Sequence, residues 1–376
     1  MMRDLFISVL VSLAINLYIA YVSIKNGIPI YLDHDEVIWM KTLGFCGGEF
    51  AFYEQKHGLI VPVLCMLYPL KLIFQDFFLL SVRFSIVFLE CFIFLKILRK
   101  VFKNEYVIIS LVLAHFSYFV GIPASPFHLF SIIRIFSPSF FMIFFLIFYL
   151  FFIDFLDSDS SKRISKTFVG LSLGIVFYSS SYWILYLLSS VFIMILYLAF
   201  LKKRDVLKAL IYILFIGFSV GVPAIVFNYF QLGFLKEGLS RGGYFVKGAG
   251  YKVSQEFYLF LIFFCFSAIS FLASRVFSLK SLFIFFSSLA GLVLITLDLL
   301  SVLPFSMLLY HHLTFPFNFF NRILFGFALE KISGSIKVFG RFFLVIISII
   351  FIFSWFRFFV FFFGENRSDE LQDWAW

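Results

Sequence analysis

Uncharged or nearly uncharged runs of helix-spanning length recur from one end of this 376-residue chain to the other. In hydrocarbon every backbone N–H and C=O must find its partner within the span, so runs of about 20 apolar residues are read as membrane helices. Charged residues make up 14% of the chain and hydrophobic ones 62%, against about 25% charged in a soluble domain. The expected fold is therefore all-α: one polytopic integral-membrane domain over residues 1–376, with no soluble domain. The 63 Phe say little about function, because Phe serves a lipid-facing surface about as well as Leu.

The formal charge of +9 does not point to nucleic acid. The basic residues are spread as short clusters between apolar runs, the pattern of topology signals. Leu5–Ile24 is too long for a signal-peptide core and has no small-residue cleavage site before Asp33, so it is kept as a membrane helix. Cys46, Cys65, Cys91 and Cys265 have neither metal nor redox spacing.

With a cytoplasmic N-terminus, the loops Arg99–Lys103, Lys162–Lys166, Lys202–Lys208, Arg275–Lys280 and Lys331–Arg341 all fall on the cytoplasmic side and hold 15 of the 30 Lys and Arg. That is the positive-inside pattern. The spans are then 5–25, 77–98, 106–122, 138–156, 167–181, 183–201, 209–229, 256–273, 281–303, 313–330 and 341–363, about eleven helices. Leu59–Phe74, with Pro62, Pro69 and Lys71, is read as an external juxtamembrane helix. If it spanned, every later basic cluster would face outward. The tail 364–376 is then external, in the cell membrane of the host.

Four external segments carry most of the polar chemistry: 26–76 with its acidic motif, Gly121–Ser137, the basic Gly-rich loop 230–255, and Ser306–Arg322. The first holds Asp33-His34-Asp35-Glu36 and, further on, His57. Ionised groups at a membrane face are costly unless solvated, paired or used. A carboxylate there can serve as general base toward a hydroxyl or amine, tuned by like-charged neighbours. The structural alternative is a capping box, Asp33 with Glu36 three residues on, which leaves His34 and Asp35 unexplained.

This order of motifs resembles the GT-C superfamily of integral-membrane glycosyltransferases, which includes the protein O-mannosyltransferases and the lipid A aminoarabinose transferases. The matching elements are Asp35-Glu36, then Pro62 and Pro69, then Gln75-Asp76, then Arg83, then a helix ending in the basic turn Arg99-Lys100. The resemblance covers about residues 1–105. It departs from the family at His57-Gly58-Leu59-Ile60-Val61-Pro62, which has one proline where a Pro-Pro pair is expected. The resemblance implies a polyprenyl-phosphate sugar donor, an external glycan, lipid or protein acceptor, and Asp35 as the base, with Asp33 or Glu36 positioning the acceptor or tuning the base.

A departing lipid phosphate needs cationic or hydrogen-bonding groups. Arg134, ahead of the helix start Ser137-Pro138-Ser139, is one candidate; its alternative is a snorkelling or structural Arg. Arg241 and Lys247, among the glycines of the 230–255 loop, suit a closing loop over an anionic headgroup, or else a solvated connection beside lipid. His311, His312 and Arg322 can contact phosphate or sugar, or serve as interfacial residues. Asp33, His34 and Asp35 carry ligands of the kind Mg or Mn takes, but part of the resembled superfamily works without metal and none is expected.

A carrier or flippase of a lipid-linked or anionic substrate is the competing class, with a polysaccharide polymerase or ligase as a third. A carrier places ionisable groups near the bilayer midplane. Within the spans the candidates are few, chiefly Glu90 and Asp298, each with no obvious partner in the sequence, and the polar residues gather on one face instead, which favours surface chemistry.

Overall fold

The computed structural model describes residues 2–26, 67–74, 77–117, 141–157, 165–178, 181–241, 253–299 and 308–363. Every regular element among them is a helix: α1 (Met2–Asn26), α2 (Tyr68–Phe74), α3 (Phe78–Val101), α4 (Glu105–His115), α5 (Phe141–Leu156), α6 (Lys166–Val176), α7 (Ser181–Phe200), α8 (Arg204–Arg241), α9 (Val253–Ser274), α10 (Leu279–Leu299), α11 (Leu308–Ser335) and α12 (Lys337–Phe363). Parts of α1, α3, α7, α8 and α10 are long and apolar enough to cross a membrane, five spans by length and composition. Five shorter apolar helices accompany them, among them α4 and α6. At 11 residues, α6 is about 16 Å long, roughly half the hydrocarbon thickness, and falls short of the expected span 167–181.

Helix ends follow local chemistry. Asn104 caps α4 by accepting the Tyr106 N–H at 2.9 Å, and Ser165 caps α6 through the Thr167 N–H. α7 closes in a Schellman turn: Lys203 N–H reaches Leu198 O, Lys202 N–H reaches Ala199 O, and Lys202 takes φ 56°. After α9 Arg275 is also left-handed, at φ 56°, with its N–H on Leu272 O. Two of the expected basic turns are thus left-handed helix stops occupied by a cation.

α1 and α3 form an antiparallel pair. Asp4 meets Lys96 and Arg99 at one end, and Ser12 Oγ donates to Phe84 O at 2.7 Å further along. Asp4, Ser8, Ser12 and Asn16 recur every fourth residue and are all buried, a polar stripe on one helix face. The opposite face carries exposed Phe6, Leu10, Leu13, Leu17, Tyr21 and Ile24, which suits contact with lipid. α2 is a short helix with no buried residue, lying against α3; residues 59–66 of the expected juxtamembrane helix lie outside the described residues.

The middle of the molecule is α11, which packs against α4, α7, α9, α10 and α12. Pro316 to Leu324 are buried without interruption, so this stretch of the helix is enclosed on every side. α6 and α8 make the closest approach. Gly170 and Gly174 sit against Ile216 and Val220, and Gly217 and Gly221 against Leu173 and Phe177. The four-residue glycine spacing on both helices lets their backbones meet.

Three of the expected basic turns, Arg99–Lys103, Arg275–Lys280 and Lys331–Arg341, gather at one end. Arg99 bridges Asp4 and Glu105, Lys100 pairs with Asp154, Lys280 with Asp157 at 3.2 Å, and Arg341 donates to Tyr106 Oη. Glu330 of α11 accepts the backbone N–H groups of Lys103 and Asn104 at 2.9 and 3.1 Å. This network ties α1, the α3–α4 turn, α5, α10 and the α11–α12 turn into one face.

Candidate functional site: a buried Glu–His–Arg cluster

The described residues bring three ionisable side chains together inside the helices. Glu90 is halfway along α3, His115 is the last residue of α4, and Arg322 is halfway along α11. Each is 2% exposed. His115 Nε2 is 2.9 Å from Glu90 Oε1, and Arg322 Nη1 is 3.2 Å from His115 Nδ1 and 3.5 Å from the His115 carbonyl. Helix rise puts Glu90 about 16 Å, His115 about 15 Å and Arg322 about 20 Å from the ends of their helices at the ion-paired face.

The donor set fixes the proton. A guanidinium only donates, so Nδ1 of His115 must be the acceptor; a neutral imidazole then carries its proton on Nε2 and donates it to Glu90. Carboxylate, neutral imidazole and guanidinium sum to no net charge, the condition under which ions are tolerated away from water. Phe94, Phe116 and Phe319 close round the imidazole, with ring centroids at 4.7, 5.0 and 5.9 Å. The effective dielectric there is low, which strengthens each contact and raises the cost of removing one partner.

A second polar group lies on α11 beside the first. Asn321 accepts from Ser288 of α10 at 2.5 Å, and the neighbouring Ser287 bonds Tyr149 of α5 at 3.0 Å and, through its carbonyl, Tyr186 of α7. Asn318 is buried on the face that carries Arg322, four residues away. Arg83, 1% exposed, lies seven residues before Glu90 on the same face of α3. Among the described residues no three His, Cys, Asp or Glu gather as metal ligands.

Several expectations change. Glu90, without an obvious partner in the sequence, has His115 as its partner. Arg322, expected at an external face, is enclosed in the middle of α11. The loop 230–255 is helical at both ends: α8 runs on through Pro223 to Arg241 and α9 begins at Val253, because the residues after Pro223 continue a helix-compatible sequence. His311 and His312 stand in the first turns of α11. Asp33, His34, Asp35, Glu36, His57, Arg134 and Lys247 lie outside the described residues, and Asp298 is placed only by its backbone in α10.

Sequence reasoning missed His115 and Asp4. Asp4 left a signal in the four-residue recurrence with Ser8, Ser12 and Asn16. His115 left only its presence in an otherwise apolar run, from which its partners 25 and 207 positions away could not be read.

The fold and the cluster define an all-helical protein with several helices long and apolar enough to span a membrane, consistent with an integral membrane protein. No protein-family model, no curated protein and no solved structure matches the chain.

Proposed function

We propose that the chain is a GT-C-type integral-membrane glycosyltransferase, moving a sugar from a polyprenyl-phosphate donor to an external glycan, lipid or protein. Asp35 is the base, Asp33 or Glu36 positions the acceptor, and cations among Arg83, Arg134, Arg241 and Lys247 receive the phosphate. The N-terminus is cytoplasmic and the C-terminal tail is external. The observation that carries the reading is the order Asp35-Glu36, Pro62, Pro69, Arg83, Arg99-Lys100. The antiparallel α1–α3 pair supports it, since Asn26 and Phe78, which flank the acidic loop, lie at the end away from the basic turns. By the charge bias of membrane proteins that end is the outer one.

The test is gene deletion in the host, mass spectrometry of surface glycans and lipid-linked sugars, and complementation with wild type and with Asp35→Asn. Loss of one sugar with accumulation of its donor, rescued by wild type alone, is the expected result. Equal rescue by Asp35→Asn removes the assignment.

A second reading, a carrier or flippase for a lipid-linked or anionic substrate, is favoured by one observation. The Glu90–His115–Arg322 cluster sits where a carrier keeps its ionisable groups. It predicts unchanged glycans in the Asp35→Asn strain and lost substrate movement in vesicles containing Glu90→Gln protein.

A further inference from the structure

We propose that His115 is a proton-operated clasp on the central helix: a proton taken up at Nδ1 keeps the imidazole on Glu90 and releases Arg322, freeing the middle of α11 from the end of α4. The inference is independent of either functional reading.

The geometry carries it. The contact between Arg322 Nη1 and His115 Nδ1, 3.2 Å long, exists only while Nδ1 has a lone pair, because the guanidinium has no acceptor. A proton bound there sets two cations face to face among phenylalanine rings. The same proton turns the 2.9 Å bond to Glu90 into a charge-assisted pair. The proton comes from a hydronium ion: one O–H bond breaks, leaving water, and one N–H bond forms at Nδ1, with no other covalent change. One event therefore strengthens the His115–Glu90 contact between α4 and α3 and cancels the Arg322–Nδ1 contact between α11 and α4.

Two further features of α11 suit a helix with a second position. Pro316 stands inside it, six residues before Arg322, and lacks the N–H that would bond the carbonyl of residue 312, which loosens the helix there. Between the two, Asn318 Oδ1 and Asn321 Nδ2 are buried without a hydrogen-bond partner among the described residues, at about 1–3 kcal/mol for each unmet group. A shift of α11 gives these atoms the chance of partners that the clasped position denies them.

Among the described side chains, the other charges on the elements packed around α4 have partners or positions elsewhere. On α3, Lys96 and Arg99 meet Asp4, Arg99 also meets Glu105, and Lys100 meets Asp154, while Arg83 lies two turns from Glu90. On α11, Glu330 caps the start of α4, and on α12, Arg341 meets Tyr106. Among the described side chains, the charged groups in contact with His115 are Glu90 from α3 and Arg322 from α11.

The test is magic-angle-spinning NMR of the full chain in lipid vesicles, with nitrogen-15 histidine and arginine, between about pH 8 and about pH 5, which brackets the ordinary imidazole range. The His115 signal is assigned as the one lost in His115→Gln, or, if that variant does not fold, as the one shifted in Glu90→Gln. Expected at the upper pH is an Nε2–H imidazole with a through-space contact from Nδ1 to an arginine nitrogen. At the lower pH both ring nitrogens are protonated and the arginine contact is gone. In Glu90→Gln the same change needs at least about tenfold more protons, since an adjacent carboxylate stabilises the cation by that factor or more. A His115 that keeps the arginine contact throughout, that protonates without losing it, or that titrates identically in Glu90→Gln overturns the proposal.

Discussion

Gly174→Ala tests the α6–α8 seam most sharply, because the added methyl group has nowhere to go. A Cβ at position 174 would lie 2.5 Å from Val220 Cβ and 2.6 Å from Val220 Cγ1, where ordinary carbon contacts are about 3.5–4.0 Å. Val220 Cβ is fixed to its backbone, so no rotamer relieves the overlap, and the helices must part by about 1 Å. Overpacking of this kind costs about 1–3 kcal/mol, and a gap of that size forfeits a quarter to a half of each dispersion contact along the seam. The bond from Tyr178 Oη to Val220 O, 2.9 Å, crosses the same seam and lengthens with it. Opposing this, Ala favours a helix over Gly by about 1 kcal/mol. Gly334 in α11 supplies the control, since nothing lies within 4 Å of its would-be Cβ and Gly334→Ala takes the helix gain alone. The assay is the thermal unfolding midpoint of both variants in one detergent. Gly174→Ala should melt below wild type and Gly334→Ala at or above it. A Gly174→Ala midpoint equal to or above that of Gly334→Ala refutes the reasoning.

Arg322→Ala leaves Glu90 buried without its compensating cation, and a cost of about 3–5 kcal/mol is expected. The double variant Glu90→Ala, Arg322→Ala should cost clearly less than the sum of the two single ones, because the remaining groups are then neutral; strict additivity in denaturation would show that His115 does not couple them. Glu330→Ala uncovers the backbone N–H groups of Lys103 and Asn104, and about 1–2 kcal/mol should be lost, read as faster amide exchange at those residues than in wild type. Asp4→Asn removes the carboxylate shared by Lys96 and Arg99. Both cations are about a quarter to a third exposed and rehydrate, so the loss should stay near 1–2 kcal/mol and shrink in high salt; a loss that salt leaves unchanged would point to packing instead.

The basic turns show how the sequence reaches into the fold. Apolar runs fix where helices lie, and cations mark where they stop, so Arg99-Lys100, Lys202 and Arg275 are all found at helix ends. The span of residues 167–181 shows the limit. It is uncharged from end to end, yet α6 ends at Val176, since hydropathy measures compatibility with lipid and not the length a helix takes beside a partner. The Gly170/Gly174 and Gly217/Gly221 spacings were present in the sequence, but only packing shows that they face one another.

The sequence by itself determined an all-helical chain, because hydrocarbon leaves the backbone of an apolar run little other way to satisfy its hydrogen bonds, and it determined the acidic motif on which the glycosyltransferase reading rests. Only the tertiary structure decided that Glu90, His115 and Arg322 meet. Each is a lone polar residue in an apolar helix, and helix periodicity says which face a side chain occupies but not which distant helix will cover it. That choice is made by shape: residues 316–324 of α11 are enclosed on every side, and an enclosed charge is stable only where the surrounding helices bring its partners to it.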